Sequence, residues 1–132
     1  MDIPVTSTSE ENVVCDTAEP YHGFSVFIHE YAHSIHLIGL KSADPTFDAR
    51  LTQAYETAMA SGLWQNSYSA TNRLEYWAEG VAIWFDAHWS SFDHPSVINT
   101  REKLAQYDDG LYRLIREFFT EDALPMCAPA PL

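Results

Sequence analysis

The sequence has little cysteine, little glycine and few basic residues. Its 132 residues include two Cys, five Gly, and seven Lys or Arg against nineteen Asp or Glu, for a formal net charge of −12. Two cysteines exclude a disulfide-rich scaffold, and so little glycine excludes collagen-like repeats. The acidic balance disfavours nucleic acid as a partner, because negative charge repels phosphates. We interpret the charge as a source of solubility or, alternatively, of attraction for cationic peptide segments.

Long hydrophobic runs are also missing. A membrane-spanning helix needs about 20 mostly apolar residues, and no apolar stretch here approaches that length. No basic stretch followed by an apolar run opens the chain, so we expect no signal peptide in it. Hydrophobic residues nevertheless make up 46% and aromatic residues 14% of the chain, which is typical of one folded domain of this size.

The two cysteines, Cys15 and Cys127, lie near opposite ends of the chain, and neither has a partner in a CxxC motif. A cysteine-based zinc site is therefore not expected. The two residues could form one disulfide, which together with the acidity favours a secreted or extracellular protein. Alternatively, each is an independent small hydrophobic residue.

The spacing of apolar residues predicts a mainly α fold with at most a small β element at the N-terminus. We expect an arm or one short strand over 1–20, a single helical domain over 21–123, and an extended proline-rich tail over 124–132. Apolar periodicity and capping signals predict five helices. These are a helix over 22–38 that Gly39 ends, one from an Asp44 cap to Gly62, one from a Thr71 cap to about Ala87, a short one capped by Asn99, and one over 111–119 after a turn at 108–110.

The stretch HEYAH at 29–33 carries the clearest chemical signal. His29 and His33 are four residues apart, so on a helix both imidazoles leave the same face. Two nitrogens in that arrangement can hold one Zn²⁺, and the neighbouring Glu30 can take a proton from a water that the metal activates. The alternative is a helix with two histidines that bind no metal.

A catalytic zinc site needs a third protein ligand and an open position. His36 lies one turn too far along, and the longer HExxHxxGxxH pattern is not present, so we expect His36 to be packed or hydrogen-bonded. Glu75 and Glu79 share one face of a later predicted helix at the edge of the core. Glu75 can be the third ligand, and Glu79 can accept the outer N–H of a ligating histidine. The alternative is a solvated pair of glutamates.

Other acids and histidines have weaker signals. Asp86 falls on the same helical stripe as the two glutamates. It is either a further hydrogen-bond acceptor beside the site or a surface acid at the end of the helix. His22, His88 and His94 have no partner at ligand spacing, so we expect them on the surface or in loops.

The HEYAH motif and the stretch YSATNRLEYWAE at 68–79 together resemble the catalytic core of anthrax lethal-factor-type zinc metallopeptidases, which are gluzincins with two His ligands and one Glu ligand. The resemblance covers residues 24–87 and implies that the helical domain over 21–123 is a zincin-like, minimal metallopeptidase domain. It implies that Glu75 is a ligand, that Glu79 supports the site, and that Tyr68, seven residues before Glu75, donates to the reacting oxygen. Otherwise, Tyr68 is an ordinary loop tyrosine.

The resemblance also implies a β-sheet before the HExxH helix, with an edge strand that binds the substrate backbone. Here 28 residues precede His29. We therefore expect a minimal cleft, one strand within residues 1–15, or a trimmed chain.

The sequence thus predicts a zinc-dependent metallopeptidase, most simply an endopeptidase, that cleaves proteins or peptides. Zinc and Glu30 would activate the water, and Tyr68 would donate to the oxyanion. The first alternative is a non-catalytic zinc- or partner-binding domain on a peptidase scaffold. The second is a structural helical domain whose histidines are fortuitous.

Overall fold

A computed structural model describes residues 5–18, 20–21, 23–88 and 98–122. The predictions for His22, His94, Cys127 and the tail over 124–132 lie outside these residues, as does most of the predicted loop over 88–98. The helices are α1 (Glu10–Val13), α2 (Val26–Ser34), a π-helical turn (Ile35–Leu40), α3 (Lys41–Ala43), α4 (Phe47–Ala60), a 3₁₀ turn (Tyr68–Ala70), α5 (Arg73–Trp84), α6 (Arg101–Tyr107) and α7 (Asp109–Arg116).

The mainly α fold class is confirmed. Within the described ranges the chain forms no strand, and β pairing is limited to one isolated antiparallel bridge between Phe24 and His88. The strand considered for residues 1–15 is wrong for the described part, because residues 5–15 contain no strand and the second half of this range forms α1. Ser9 begins this helix by accepting a hydrogen bond from the backbone N–H of Asn12. In the same segment, Cys15 is part of a disulfide.

The helix that carries HEYAH begins and ends later than the predicted 22–38, since it starts at Val26 rather than at residue 22. Ser25 caps its start, and its side chain accepts a hydrogen bond from Ile28 N. The expected stop at Gly39 is wrong, since the helical path continues through the π-helical turn into α3. Glycine commonly ends a helix by adopting a positive φ. Gly39 does not have a positive φ, whereas Gly62, just after α4, has φ +77°.

Three other predicted caps are shifted by one or two residues. Thr46 rather than Asp44 precedes α4, Asn72 rather than Thr71 caps α5, and Thr100 rather than Asn99 caps α6. The side chains of Asn72 and Thr100 accept from backbone N–H groups of the first turn, as a cap requires. Thr46 makes no such hydrogen bond, and the predicted Asp44 instead accepts from Thr46 N at 2.9 Å, just before the first residue of α4. In addition, α5 ends at Trp84, before the predicted Ala87, and Asp108 caps α7 within the predicted turn.

Helix α5 is the centre of the core. Its residues from Tyr76 to Trp84 are all buried. Trp77 Nε1 donates to the carbonyl of Ala32 at 3.0 Å, which ties α5 to α2. Helix α7 approaches α5 closely at Gly80, where a Cβ would meet a methyl of Leu111 at 2.7 Å. This packing determines which face of α5 is turned toward α2. Among the described residues, no helix has the length and apolar character needed to cross a membrane.

Candidate metal centre

The first two candidate ligands lie one turn apart on α2. The rings of His29 and His33 pack edge to face with centroids 4.9 Å apart, and their Nε2 atoms are separated by 3.2 Å. The start of α2 is fixed from outside by Asn12, which donates to the carbonyl of Phe24 at 2.8 Å and accepts from Val26 N at 2.9 Å. Helix α1 therefore anchors the end of the helix that presents the two imidazoles.

The third candidate ligand comes from the first turn of α5. Asn72 caps this helix by accepting from the backbone N–H groups of Leu74 and Glu75. From there, Glu75 Oε2 lies 2.9 Å from His29 Nε2 and 3.4 Å from His33 Nε2. The three ligand atoms form a triangle with sides of 2.9, 3.2 and 3.4 Å.

This triangle fits a metal ion. Nitrogen and oxygen ligands at bond lengths of about 2.0–2.1 Å in a tetrahedron are about 3.3–3.4 Å from one another, close to the distances observed. His29, His33 and Glu75 could therefore hold a metal ion together. In the part of the chain that the structure describes, no fourth histidine, cysteine or carboxylate joins the group. A three-residue set is typical of a site that keeps one position for a water or a substrate.

Glu79 lies behind the centre, one turn after Glu75 on α5. Its side chain is buried, and its Oε1 atom is 3.0 Å from His29 Nδ1. The expectation that Glu79 meets the outer nitrogen of a ligand histidine thus agrees with the geometry. Burial alone would raise the pKa of Glu79, but its contacts with His29 and His88 outweigh burial and lower the pKa to about 2. Glu79 is therefore ionised at neutral pH.

The two ligand histidines have opposite pKa shifts. Burial alone would lower the pKa of His29, but Glu79 together with the charges of Glu75 and Glu30 raises it. For His33, burial is the strongest influence and its pKa is lowered, although Glu75 opposes the shift. The site therefore holds one imidazole against a buried carboxylate and leaves the other easier to deprotonate.

His88 belongs to this site, which corrects the expectation of a surface or loop residue. It is 6% exposed, and its Nε2 atom lies 2.6 Å from Glu79 Oε2. Sequence reasoning missed it because His88 follows the end of α5, where helical spacing no longer predicts neighbours. Asp86, with φ +54°, turns the chain there, and His88 returns to pair with the backbone of Phe24. No signal in the local sequence would have placed it beside Glu79.

Glu30 and Tyr68 border one cavity next to the ligands. The cavity has a volume of about 360 Å³, and its apolar wall comes from Tyr21, Phe24 and Val26. Tyr68 begins the 3₁₀ turn, is 48% exposed, and has its ring centroid 6.1 Å from that of His29. Burial and the charge of Glu75 are the main causes that raise its pKa, so the hydroxyl keeps its proton at neutral pH.

His36 and Asp86 are not part of the centre. His36 is fully buried in the π-helical turn, and its Nε2 atom is 2.5 Å from Asp48 Oδ1, so the expectation of a packed, hydrogen-bonded histidine is confirmed. Asp86 is exposed, so of its two interpretations the surface acid is confirmed.

Comparison with known proteins adds no assignment to this geometry. No family model, no curated protein and no solved structure matches the chain.

Proposed function

We propose that this protein is a zinc-dependent metallopeptidase of the lethal-factor type. The observation that carries the proposal is the triangle of ligand atoms from His29, His33 and Glu75, with Glu30 and Tyr68 on the wall of the adjoining cavity. A ligand set, a general base and an oxyanion donor are the groups that hydrolysis of a peptide bond requires.

Zinc is the metal that this donor set favours. Two imidazoles and one carboxylate, with no fourth ligand among the described residues, are typical of catalytic zinc sites. A bound zinc ion would supply Lewis acidity, which polarises the scissile carbonyl and makes water acidic enough to react near neutral pH.

Glu30 is the proposed general base. It follows His29 directly on α2 and lines the cavity rather than joining the ligand triangle. From this position its carboxylate would accept a proton from the attacking water and pass that proton to the amine that leaves. A carboxylate that served only as a metal ligand would lie among the ligand atoms rather than on the cavity wall.

Tyr68 is the proposed donor to the oxyanion. Its hydroxyl is protonated at neutral pH and faces the same cavity, next to Glu75. When the carbonyl carbon becomes tetrahedral, its oxygen gains negative charge, and a hydroxyl held nearby stabilises that charge more than it stabilises the substrate.

The proposed substrates are proteins or peptides, with a preference for basic segments. The net charge of −12 would attract cationic chains, and the carboxylates of Glu30 and Glu75 lie at the site itself. The disulfide at Cys15 favours a secreted or extracellular location, where disulfides persist.

The test is digestion of a peptide library by the wild type and by Glu30→Gln, read by mass spectrometry, with zinc content measured on both. The variant should keep about one equivalent of zinc and lose cleavage. Glu56→Gln is a matched control, because it makes the same change of charge on the exposed face of α4. We expect it to cleave like the wild type.

Equal cleavage by the wild type and Glu30→Gln would reject Glu30 as the base. A wild type that binds zinc but cleaves neither the library nor unfolded protein would support the non-catalytic alternative. Absence of zinc from the purified protein, even after zinc is added, would reject the metal centre.

A further inference from the structure

His88 and Glu79 form the part of the site that the proposed chemistry has not used. His88 Nε2 lies 2.6 Å from Glu79 Oε2, and the side chains are 8% and 4% exposed. The other oxygen of Glu79 lies 3.0 Å from His29 Nδ1. One buried carboxylate therefore bridges a ligand histidine and a histidine outside the ligand group.

This bridge bears on which nitrogen of the neutral His29 ring carries the proton. His29 Nε2 faces Glu75 and His33, and it can bind a metal only through its lone pair. The proton of the neutral ring must then be on Nδ1, which is buried and makes no well-aligned hydrogen bond, and which has the Glu79 carboxylate 3.0 Å away as its ion-pair partner. Glu79 thus determines which tautomer of His29 is stable.

Glu79 can do this only if its carboxylate keeps one orientation. The last torsion of a glutamate side chain is soft, so a single contact would leave the carboxylate free to turn. His88 holds the second oxygen, and the Phe24 ring packs edge to face against both imidazoles, with centroids 5.5 Å from His29 and 4.9 Å from His88. The backbone bridge between Phe24 and His88 locks this arrangement to the start of α2.

We propose that His88 is a positioning residue of the metal centre, which orients the Glu79 carboxylate and, through it, the ring and tautomer of His29. The inference rests on the proposed function only in that the centre binds zinc. It assigns His88 no contact with substrate and no share in proton transfer.

The main experiment compares His88→Asn with His88→Gln. The amide of glutamine reaches about as far as Nε2 of histidine and can donate to Glu79, whereas the amide of asparagine is one methylene short. Zinc affinity is measured by competition with a chelating indicator. We expect His88→Asn to bind zinc about 10- to 100-fold more weakly, which is typical when a partner of a ligand histidine is lost. His88→Gln should stay within about threefold of the wild type.

A double-mutant cycle separates positioning from general loosening of the fold. In a Glu79→Gln background, His88→Asn should change zinc affinity by less than about threefold, because its effect is transmitted through Glu79. Tyr76→Phe is the matched control, since it removes a 2.7 Å hydrogen bond to a different buried carboxylate, Asp108, from the same helix. It should lower stability and leave zinc affinity unchanged.

A second readout uses the zinc-loaded protein, in which the metal occupies Nε2 of His29 and the proton is on Nδ1. Nitrogen-15 NMR should show slow exchange of this proton with solvent in the wild type and in His88→Gln, and faster exchange in His88→Asn, where the Glu79 carboxylate is no longer held beside it. If circular dichroism shows that His88→Asn is unfolded, His88→Phe, which fills the space without a donor, replaces it in every arm.

Full zinc affinity in folded His88→Asn would overturn the inference, as would an equal loss in the wild-type and Glu79→Gln backgrounds. An unchanged exchange rate of the His29 Nδ1 proton in zinc-loaded His88→Asn would also overturn it. These outcomes are distinct from failure of the proposed function. If His88→Asn affects zinc affinity only when Glu79 is present but the protein cleaves no peptide, the positioning role is kept and the peptidase assignment is lost. Conversely, if Glu30→Gln loses cleavage but the effects of His88→Asn and Glu79→Gln on zinc affinity are additive, the peptidase assignment is kept and the positioning role is lost.

Discussion

At the scale of single residues, the described part of the chain buries two carboxylates, and donors meet both of them. Asp108 accepts hydrogen bonds from Trp64 Nε1 at 2.8 Å and from the Tyr76 hydroxyl at 2.7 Å. Glu79 lies between two histidines. A buried charge without partners is costly, so such groups persist where the fold supplies donors. Asp108 supports α7 as its cap, whereas Glu79 faces the metal centre.

The Tyr68 hydroxyl tests the oxyanion role directly. Tyr68→Phe should lower kcat/KM for a cleaved peptide about 10²-fold or more, because one donor to the developing charge is lost. Zinc affinity should not change, since Tyr68 is outside the ligand triangle. Tyr31→Phe is the control, because Tyr31 is 52% exposed against 48% for Tyr68 and lies outside the cavity wall. Similar activity in both variants would remove Tyr68 from the mechanism.

Asp48 provides a pH test at a residue away from the ligands. Its hydrogen bond with His36 is the main cause that lowers the pKa of Asp48 below 3.8. A lowered pKa means that the ionised form stabilises the fold fully above pH 3.8 and that this contribution disappears as the pH falls through the lowered value. The stability difference between wild type and Asp48→Asn should therefore be larger at pH 6 than at pH 2.5, measured by urea unfolding. A pH-independent difference would contradict the assignment.

At the scale of elements, the centre depends on the register between α2 and α5. The hydrogen bond from Trp77 to the Ala32 carbonyl joins the two helices, and α7 presses on the opposite side of α5 at Gly80. A shift of α5 by one residue would turn Glu75 and Glu79 through about 100° and away from His29. The packing of the helix therefore matters to the site as much as the ligands themselves.

Two glycine-to-alanine changes separate packing from helix propensity. In Gly80→Ala, the new Cβ would lie 2.7 Å from Leu111 Cδ2 and 2.9 Å from Ile115 Cδ1 in a fully buried interface. We expect a net loss of about 1–2 kcal/mol, since overpacking exceeds the gain in propensity. In Gly39→Ala nothing lies within 4 Å, and we expect a gain of up to about 1 kcal/mol. Thermal unfolding of both variants checks this, and a stabilised Gly80→Ala would contradict it.

At the scale of the whole molecule, a bound metal would connect two segments that are far apart in the sequence. His29 and Glu75 are separated by 46 residues, so the ligand group closes a long loop. An ion that binds only the folded chain stabilises it by mass action. The stability of this domain should therefore depend on free zinc.

Zinc removal measures that coupling. At free zinc about 100-fold above the Kd, the wild type should gain about 2.7 kcal/mol in unfolding free energy relative to the chelated protein. His33→Ala should show little change between the two conditions, since it lacks one ligand. Urea unfolding with zinc or with chelator provides the measurement, and equal stabilisation of the variant would place the ion elsewhere.

The net charge of −12 leads to a prediction about substrates. For peptides of matched sequence, kcat/KM for a lysine-rich peptide should fall as ionic strength rises from about 0.05 to 0.5 M, because salt screens long-range attraction. For a neutral peptide it should change little. Equal salt dependence for both peptides would assign the charge to solubility alone.

The local sequence was sufficient to predict the helical class, the pairing of His29 with His33 on one face, and the pairing of Glu75 with Glu79 on another. Those features depend on helical spacing, which acts over one turn. Helix ends were less predictable, as Gly39 shows, because a glycine permits a stop without requiring one. Only the tertiary structure brought α5 against α2 and returned His88 to Glu79, since both arrangements depend on packing between residues that spacing along the chain does not relate.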